Sequence, residues 1–475
     1  MNKELRWFDY LTLNINWFAL TTRSQVLTPL IIPLLVQQFV GEASKGTYLG
    51  MMRLWALMVA LLVQALFGLL SDRSTSRFGR RRPFVLVGAT LEIIILLSIG
   101  LTAQMDGMSG YWVLFGLYAL SMVSSNISHA ATQGFIPDLV PDEKKGLASG
   151  IKAMLELPLP LIFASFVVAG MIEVGNLWGA LAALATVLFI SMCLTMFTPE
   201  KPLAESPGKI NWDPIIRLLM MTGIFTVVIL GAGWAVRQLI GSLQDLTEST
   251  KMILGGIIGI SGMAVAALIG VVFSLRLGLG IESEKQSSFR WWVINRLIFL
   301  VAANNLAGFM AFFLQERFPE YEGAEVAGPA ARIIMFVGIF ILLTALPGGW
   351  LADKFGKKLL SALAGVLVGV GAGIVIFAPE LTGIIYVGAS IVGAGVGLFY
   401  SANWALGTEL VPENRAGQFF GLSNLAGAGA GAIGAYIGGP IADNTSYVLL
   451  MVIYGSMALI SILALFGIKE PGKSK

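Results

Sequence analysis

One cysteine and one histidine are all that the 475 residues hold of either type. A lone Cys193 excludes a disulfide framework and a cysteine-built metal site. A lone His129 excludes a multi-histidine zinc or haem centre. No metal-ligand spacing occurs anywhere, so neither a metal nor a cofactor is expected. Charge is scarce as well: 12% of the residues are charged, about half the share of ordinary soluble domains. The net charge of +3 is too small to point to nucleic acid. Nucleotide-binding loops and nucleophile elbows are missing, so an enzyme is not expected. Alternating strands of about ten residues are missing too, which excludes an outer-membrane barrel.

What the chain does have is apolar sequence in long continuous runs: 56% hydrophobic residues and a mean hydropathy of +0.81. No soluble core buries that much. In lipid the backbone must satisfy its own hydrogen bonds, so the expectation is an all-α integral membrane protein. A bilayer core takes about 20 apolar residues of helix. Candidate spans start near residues 10, 47, 84, 111, 147 and 176, then two occupy 214–241 and 252–275, and six more start near 291, 328, 358, 381, 417 and 445. The sum is 6 + 2 + 6 = 14 spans. The opening MNKELRWFDY has two basic residues and no small-residue cleavage site, so it reads as the cytoplasmic start of the first span.

Charge asymmetry fits this count; the alternative is a twelve-span reading in which 214–275 forms a peripheral hairpin. Lys3, Arg6, Arg73, Arg77, Arg80, Arg81, Arg82, Lys144, Lys145, Lys354, Lys357, Lys358, Arg415 and the tail lysines fall on one side. The other side holds Lys45, Lys251 and Arg317, with Glu320, Glu322 and Glu325. Both termini are therefore expected in the cytoplasm, with the protein in a plasma or inner membrane.

The chain repeats itself. GLLSDRSTSRFGRR from Gly68 and GWLADKFGKK from Gly349 both read Gly-x-x-x-Asp-basic, then Phe-Gly and a basic pair, which sets Asp72 281 residues from Asp353 (353 − 72). PDLVPDEKKGLASG from Pro137 matches TELVPENRAGQFFG from Thr408: Asp138 with Glu409, Pro141 with Pro412, Gly146 with Gly417 and Gly150 with Gly421, an offset of 271 (409 − 138). Two ordered matches predict two homologous six-helix halves, a transporter architecture. The expected domains are an N-terminal bundle over 1–197, a linker with the extra helix pair over 198–290, and a C-terminal bundle over 291–475.

The two Gly-x-x-x-Asp-basic loops, each between the second and third helix of its half, resemble the signature loop of the major facilitator superfamily. The longer SDRSTSRFGRRRPF is similar to the loop of plant-type sucrose transporters and of the glycoside–pentoside–hexuronide group. The resemblance implies that Asp72, Arg73, Arg77, Gly79 and Arg80, with Asp353, Lys354, Gly356 and Lys357, form a latch on the cytoplasmic face. It also implies that the first and fourth helices of each half line a central cavity, the second and fifth border it, and the third and sixth lie outside. The sequence departs from the sucrose group in one helix. The group's fourth-helix aspartate falls at Met122 and its following arginine at Gln133, while Asn126 matches a family asparagine. The aspartates of sodium-type relatives are absent as well.

Ionisable groups inside a span are functional candidates by default. At 1.5 Å per residue, Arg23 lies about 20 Å from the cytoplasmic end, Glu92 and Glu156 about 15 Å, and His129, Lys152 and Arg296 about 10 Å. The first span carries Asn14, Thr21, Gln25 and Thr28 on one face, and Thr12, Asn16 and Arg23 nearly opposite. Lys152 and Glu156, four residues apart, are placed to neutralise each other. By the repeat offset Tyr400 takes the place of His129. The helix assignment implied by the resemblance demotes Glu92 to a partner within its own half. The substrate-binding candidates are Arg23, Gln25, Asn126, His129, Gln133, Asn304, Asn305, Tyr400, Asn403 and Trp404. Glu156 and His129 are the candidates for ion coupling, with Glu156 placed near Arg23. The glycines from Gly421 to Gly439 read as close helix packing. The function expected is secondary transport by alternating access, as a monomer in the bilayer, of a small-molecule solute: a sugar or glycoside in symport with a cation, the proton first. Two alternatives stand beside it: an exporter or exchanger of an amphipathic solute, and a membrane-embedded partner for delivery or assembly.

Overall fold

The computed structural model describes residues 5–203, 208, 212–279, 287–410 and 416–469, with side chains placed for all but 278–279 and 416–424. Lys3, Pro412, Arg415 and the lysines after Lys469 lie outside the described residues. Those described are helices and their connections. We number the helices α1 (Trp7–Val40), α2 (Lys45–Asp72), α3 (Arg82–Thr102), α4 (Gly107–Gln133), α5 (Asp142–Glu173), α6 (Leu177–Thr195), α7 (Asp213–Gly241) and α8 (Glu248–Leu279). Then follow α9 (Ser287–Gly308 and Met310–Arg317, bent by 60°), α10 (Ala327–Phe355), α11 (Lys357–Phe377), α12 (Gly383–Leu410), α13 (Ala416–Asn444) and α14 (Tyr447–Leu465).

Twelve of these are long and apolar enough to cross a bilayer, or thirteen with bent α9 taken as one span. The expected fourteen is reached only by adding α4, which has 27 residues but fails on polarity. Ser121, Ser124, Ser125, Asn126, Ser128 and Thr132 are its buried polar residues. The helices bend where the backbone gives them reason. A π-turn at Leu27–Ile31 contains Pro29. Pro158, lacking an N–H, restarts α5 after Leu157.

The helices form two compact units. The first comprises Met1–Phe39, Val59–Ile215 and Ala327–Arg332; the second comprises Val40–Met58, Ile216–Val326 and Ile333–Lys475. In the first, Tyr10, Leu13, Val85, Ala131, Phe135, Val140 and Ala148 form a buried cluster. Gly88 of α3 faces the backbone of Ser124 and Ser128, so the two helices approach more closely than any Cβ would allow.

In the second unit, Gly371 of α11 and Gly388 of α12 face each other, each blocked by the other's carbonyl. Phe299 of α9 stacks on Phe399 of α12 at 3.6 Å. The inserted pair belongs to this unit. Phe225 of α7 fills the space left by Gly429 of α13, and Gly259 of α8 receives Ile453 of α14. The glycines of α13 act in packing: Gly434 meets Asn305, Gly438 meets Tyr454 and Gly439 meets the backbone of Gly46. Ile216, Val227, Trp234, Ile253 and Ile257 leave apolar faces of α7 and α8 exposed, as lipid contact requires.

The first turns of α2 belong to the second unit, and Asp443 of α13 secures them. Its carboxylate accepts the backbone N–H of Gly46 (2.8 Å) and Thr47 (2.7 Å) and the Tyr447 hydroxyl (2.9 Å). A carboxylate at a helix N-terminus meets unsatisfied donors and a favourable dipole. The first turns of α10 belong in turn to the first unit, where the Glu173 carboxylate lies against Gly328. Asp443 and Glu173 are 270 residues apart (443 − 173), within one of the fourth-helix repeat offset.

Candidate substrate and gating sites

The two repeat loops fold alike. Gly79 (φ +109°) and Gly356 (φ +102°) turn the chain in the left-handed region, which is why each stands before its basic pair. Asp72 is the last residue of α2. Arg80 reaches Asp72 at 3.0 Å and Asp138 at 3.4 Å. Arg81, buried, reaches the same two carboxylates at 2.5 and 2.6 Å. In the second loop Lys357 lies 3.8 Å from Asp353 and bonds Glu409 directly. The repeat equivalence of Asp138 with Glu409 thus reappears as shared bonding to the equivalent cations Arg80 and Lys357. Glu200 closes the first loop by accepting the backbone N–H of Arg81 (2.8 Å) and Arg82 (3.1 Å).

Arg81 was missing from the expected latch, yet its guanidinium is central to this cluster. The signal for it was structural: Gly134 at the end of α4 leaves the room that the guanidinium occupies. Three expected members make other contacts. Arg73 donates to the Gly208 carbonyl (2.5 Å), Arg77 lies over Phe78 (4.8 Å) and Lys354 over Trp350 (5.0 Å).

Arg23 and Glu92 form a buried ion pair, Nε to Oε1 at 2.6 Å. Ser121 donates to Glu92 (2.6 Å), Ser124 bonds its other oxygen, and Arg23 also bonds Ser121. The pair therefore links α1, α3 and α4. This corrects the expectation that Arg23 lies beside Glu156. Two buried opposite charges satisfy each other wherever three helices bring them together, and sequence depth alone does not give the rotation of each helix. Asn16, on the same face as Arg23, donates to Ser128 (3.0 Å) and Thr132 (2.6 Å). The Thr12–Asn16–Arg23 face of α1 is buried against its own unit, whereas Thr21, Gln25 and Thr28 are half-buried.

A second polar group forms around Trp17 of α1. The His129 ring meets it edge-on at 5.1 Å, and Lys152 lies 4.0 Å over its face. Lys152 pairs with Glu156 at 3.4 Å, one turn along α5. Gln133 lies 3.1 Å from His129. His129, Gln133 and Glu156 are thus brought together, with Trp17 as a contributor that the sequence did not single out. Asn126 bonds back to the Met122 carbonyl of its own helix (2.8 Å).

The second unit has its own group. Buried Asn403 of α12 donates to Asn295 of α9 (2.8 Å) and accepts from Arg296 (3.2 Å). Asn295 and Asn403 repeat Asn16 and Thr132, with offsets of 279 (295 − 16) and 271 (403 − 132). The Arg296 guanidinium lies 5.1 Å from the Trp404 ring and 5.8 Å from that of Trp292. These distances are near the outer range of a cation–π contact, worth about 0.5–1 kcal/mol each. Tyr400, a turn before Trp404, is equally exposed. The pair Asn304 and Asn305 divides. Asn304 is half-buried and bonds the Gly427 carbonyl (3.4 Å), while fully buried Asn305 bonds Ala430 (3.3 Å) and Val301 (2.9 Å), holding α9 to α13.

Residues 324–475 match a family model described as the Major Facilitator Superfamily. A solved nucleoside transporter, NupG, superposes on 96% of this chain and 99% of its own at a TM-score of 0.67 and 13% identity. The chain has the major facilitator fold. A solved peptide transporter, POT, superposes on 96% of this chain and 93% of its own, at a TM-score of 0.65 and 18% identity. The sucrose transport protein SUC4 of Arabidopsis thaliana is 23% identical over 372 residues, 62% of this chain and 69% of that one. SUC3 of the same plant is 44% identical over 50 residues, 10% of this chain and 8% of its relative, so this match spans under a tenth of that protein. The fold and the matched proteins are those of membrane transporters, not enzymes, and the chain is a multi-pass membrane protein.

Proposed function

We propose that this protein is a fourteen-helix secondary transporter of a plasma or inner membrane, with both termini cytoplasmic, acting as a monomer by alternating access. Its bundles are 1–197 and 291–475, with 198–290 as linker and extra helix pair. Its solute is a sugar or glycoside moved in symport with a proton. The observation that carries the reading is the repeat geometry, in which each half holds an Asn-anchored first and fourth helix beside an aromatic and a cation. Trp17 and Lys152 stand in one half, Trp404 and Arg296 in the other. Similarity to sucrose transport proteins supports the solute class.

In this reading the half-buried face of α1 with Gln25, and His129, Gln133, Asn304, Tyr400 and Trp404, offer hydroxyl-binding groups and aromatic faces to the solute. Glu156 carries the proton, alternately paired with Lys152 and open to one aqueous side. Asp72, Arg80 and Arg81, with Asp353, Lys357 and Glu409, hold the cytoplasmic helix ends by charge-assisted bonds. Proteoliposomes challenged with labelled solutes, with and without a pH gradient, test it. Gradient-driven accumulation of a glycoside is expected. Equal uptake with and without the gradient rules out proton symport, and exclusive uptake of apolar compounds rules out the solute class.

A further inference from the structure

Three of the four other buried cations among the described residues hold carboxylates, and the fourth, Arg53, donates to the Asn304 carbonyl (3.4 Å). Arg23 has Glu92, Lys45 has Glu42, and Arg81 has Asp72 and Asp138. Arg296 is different. It is 9% exposed, and one of its guanidinium nitrogens donates to the neutral Oδ1 of Asn403. Its Nε is buried and has no hydrogen-bond partner, and no carboxylate among the described residues forms an ion pair with it. Two tryptophan faces at long range and one amide do not replace a counter-ion in a medium of low dielectric. Such a charge inside a span persists where a ligand uses it.

The surroundings show where that ligand would lie. Tyr400 and Trp404 stand one turn apart on α12 and are 38% and 40% exposed. The Trp404 ring lies 5.1 Å from the guanidinium that its chain neighbour Asn403 holds. Asn403 is itself fixed by Asn295, whose amide bonds the Ser461 carbonyl at 2.8 Å, so the guanidinium is aimed by a chain of buried amides. The planar fork of an arginine suits two oxygens of one group.

We propose that Arg296 is an oxyanion-binding residue, and that the solute of this protein carries one carboxylate or phosphate group which completes the charge of Arg296, with Trp404 and Tyr400 covering its carbon skeleton. This deepens the transport reading and rests on it for the word solute, but the binding site itself can be tested without transport.

The experiment is calorimetric titration of the purified full-length protein in detergent with D-glucuronate, inorganic phosphate and D-glucose. The first and last differ by a carboxylate on the same ring. Glucuronate should bind at least about tenfold more tightly than glucose, the ratio expected of one charge-assisted contact, and phosphate should compete with it. In Arg296→Gln that preference should vanish, while Arg296→Lys keeps part of it. Thermal unfolding controls for folding: removing an unpaired buried charge should leave the Arg296→Gln transition at or above that of the wild type.

Equal binding of glucuronate and glucose overturns the proposal. So does a preference that survives Arg296→Gln, or a failure of both anions to bind. Anion preference in a protein that moves no solute in vesicles leaves the site standing and removes the transport reading. Uptake of neutral glycosides with anions excluded does the reverse.

Discussion

Arg23 of α1 and Arg296 of α9 are both buried arginines, and their surroundings differ in one respect that changes their meaning. Arg23 is closed off by Glu92 and Ser121, so its charge is cancelled and its donors are taken up by two other helices of its own unit, α3 and α4. Arg296 is held by Asn403 and two indole faces, none of which cancels a charge. A buried arginine is therefore not one kind of evidence. With a carboxylate it fixes helices, and without one it awaits a partner.

The largest effect should come from breaking the closed pair. Glu92→Gln leaves the Arg23 guanidinium buried without its counter-ion, at a cost of about 3–5 kcal/mol, read as a large fall in thermal unfolding temperature or loss of folded protein. The double change Arg23→Met with Glu92→Leu should recover most of it. A Glu92→Gln protein as stable as the wild type would erase the contrast with Arg296→Gln.

Next come the two halves of α2. Gly50 lies on the Ala435 backbone of α13, so Gly50→Ala should cost about 1–3 kcal/mol by overpacking. Gly68, farther along the same helix, has open space around it, and Gly68→Ala should leave stability unchanged or raised. Similar losses at both positions in thermal unfolding would show that the close approach at Gly50 does not decide the packing of this helix.

The two repeat loops should differ less. Asp72 serves a buried Arg81 and also Arg80, so Asp72→Asn should cost about 1–2 kcal/mol. Asp353 is more exposed and 3.8 Å from Lys357, so Asp353→Asn should cost under about 0.5 kcal/mol. Labelling of cysteines placed on both membrane faces would show whether Asp72→Asn also shifts the balance of open forms, as a latch demands. The smallest change in stability should be at Glu156, whose pair with Lys152 is about a third exposed on both sides, within about 0.5 kcal/mol on Glu156→Gln. Its functional effect is expected to be large: loss of accumulation against a gradient with downhill exchange kept. Accumulation that persists in this variant would make the pair structural.

The apolar runs of the sequence determined that this is a helical membrane protein, because a bilayer span is set by length and hydropathy and by nothing distant. The ordered matches at Asp72 with Asp353 and Asp138 with Glu409 marked the two loops as repeats and put glycine before each basic pair, since a left-handed turn leaves a local signature. The glycines of α13 were legible as packing because small residues at helical spacing let helices approach closely. What the tertiary structure decided were the partners. Glu92 rather than Glu156 meets Arg23, Arg81 rather than Arg73 or Arg77 joins Asp72 to Asp138, and Asn305 turns to α13 while Asn304 stays half-buried. It also decided that Thr12, Asn16 and Arg23 form the inward face of α1. Each of these depends on how one helix is rotated about its axis against two others, and a rotation of one residue, about 100°, exchanges one face for another while leaving the hydrophobic length of the span, and so its sequence signal, unchanged.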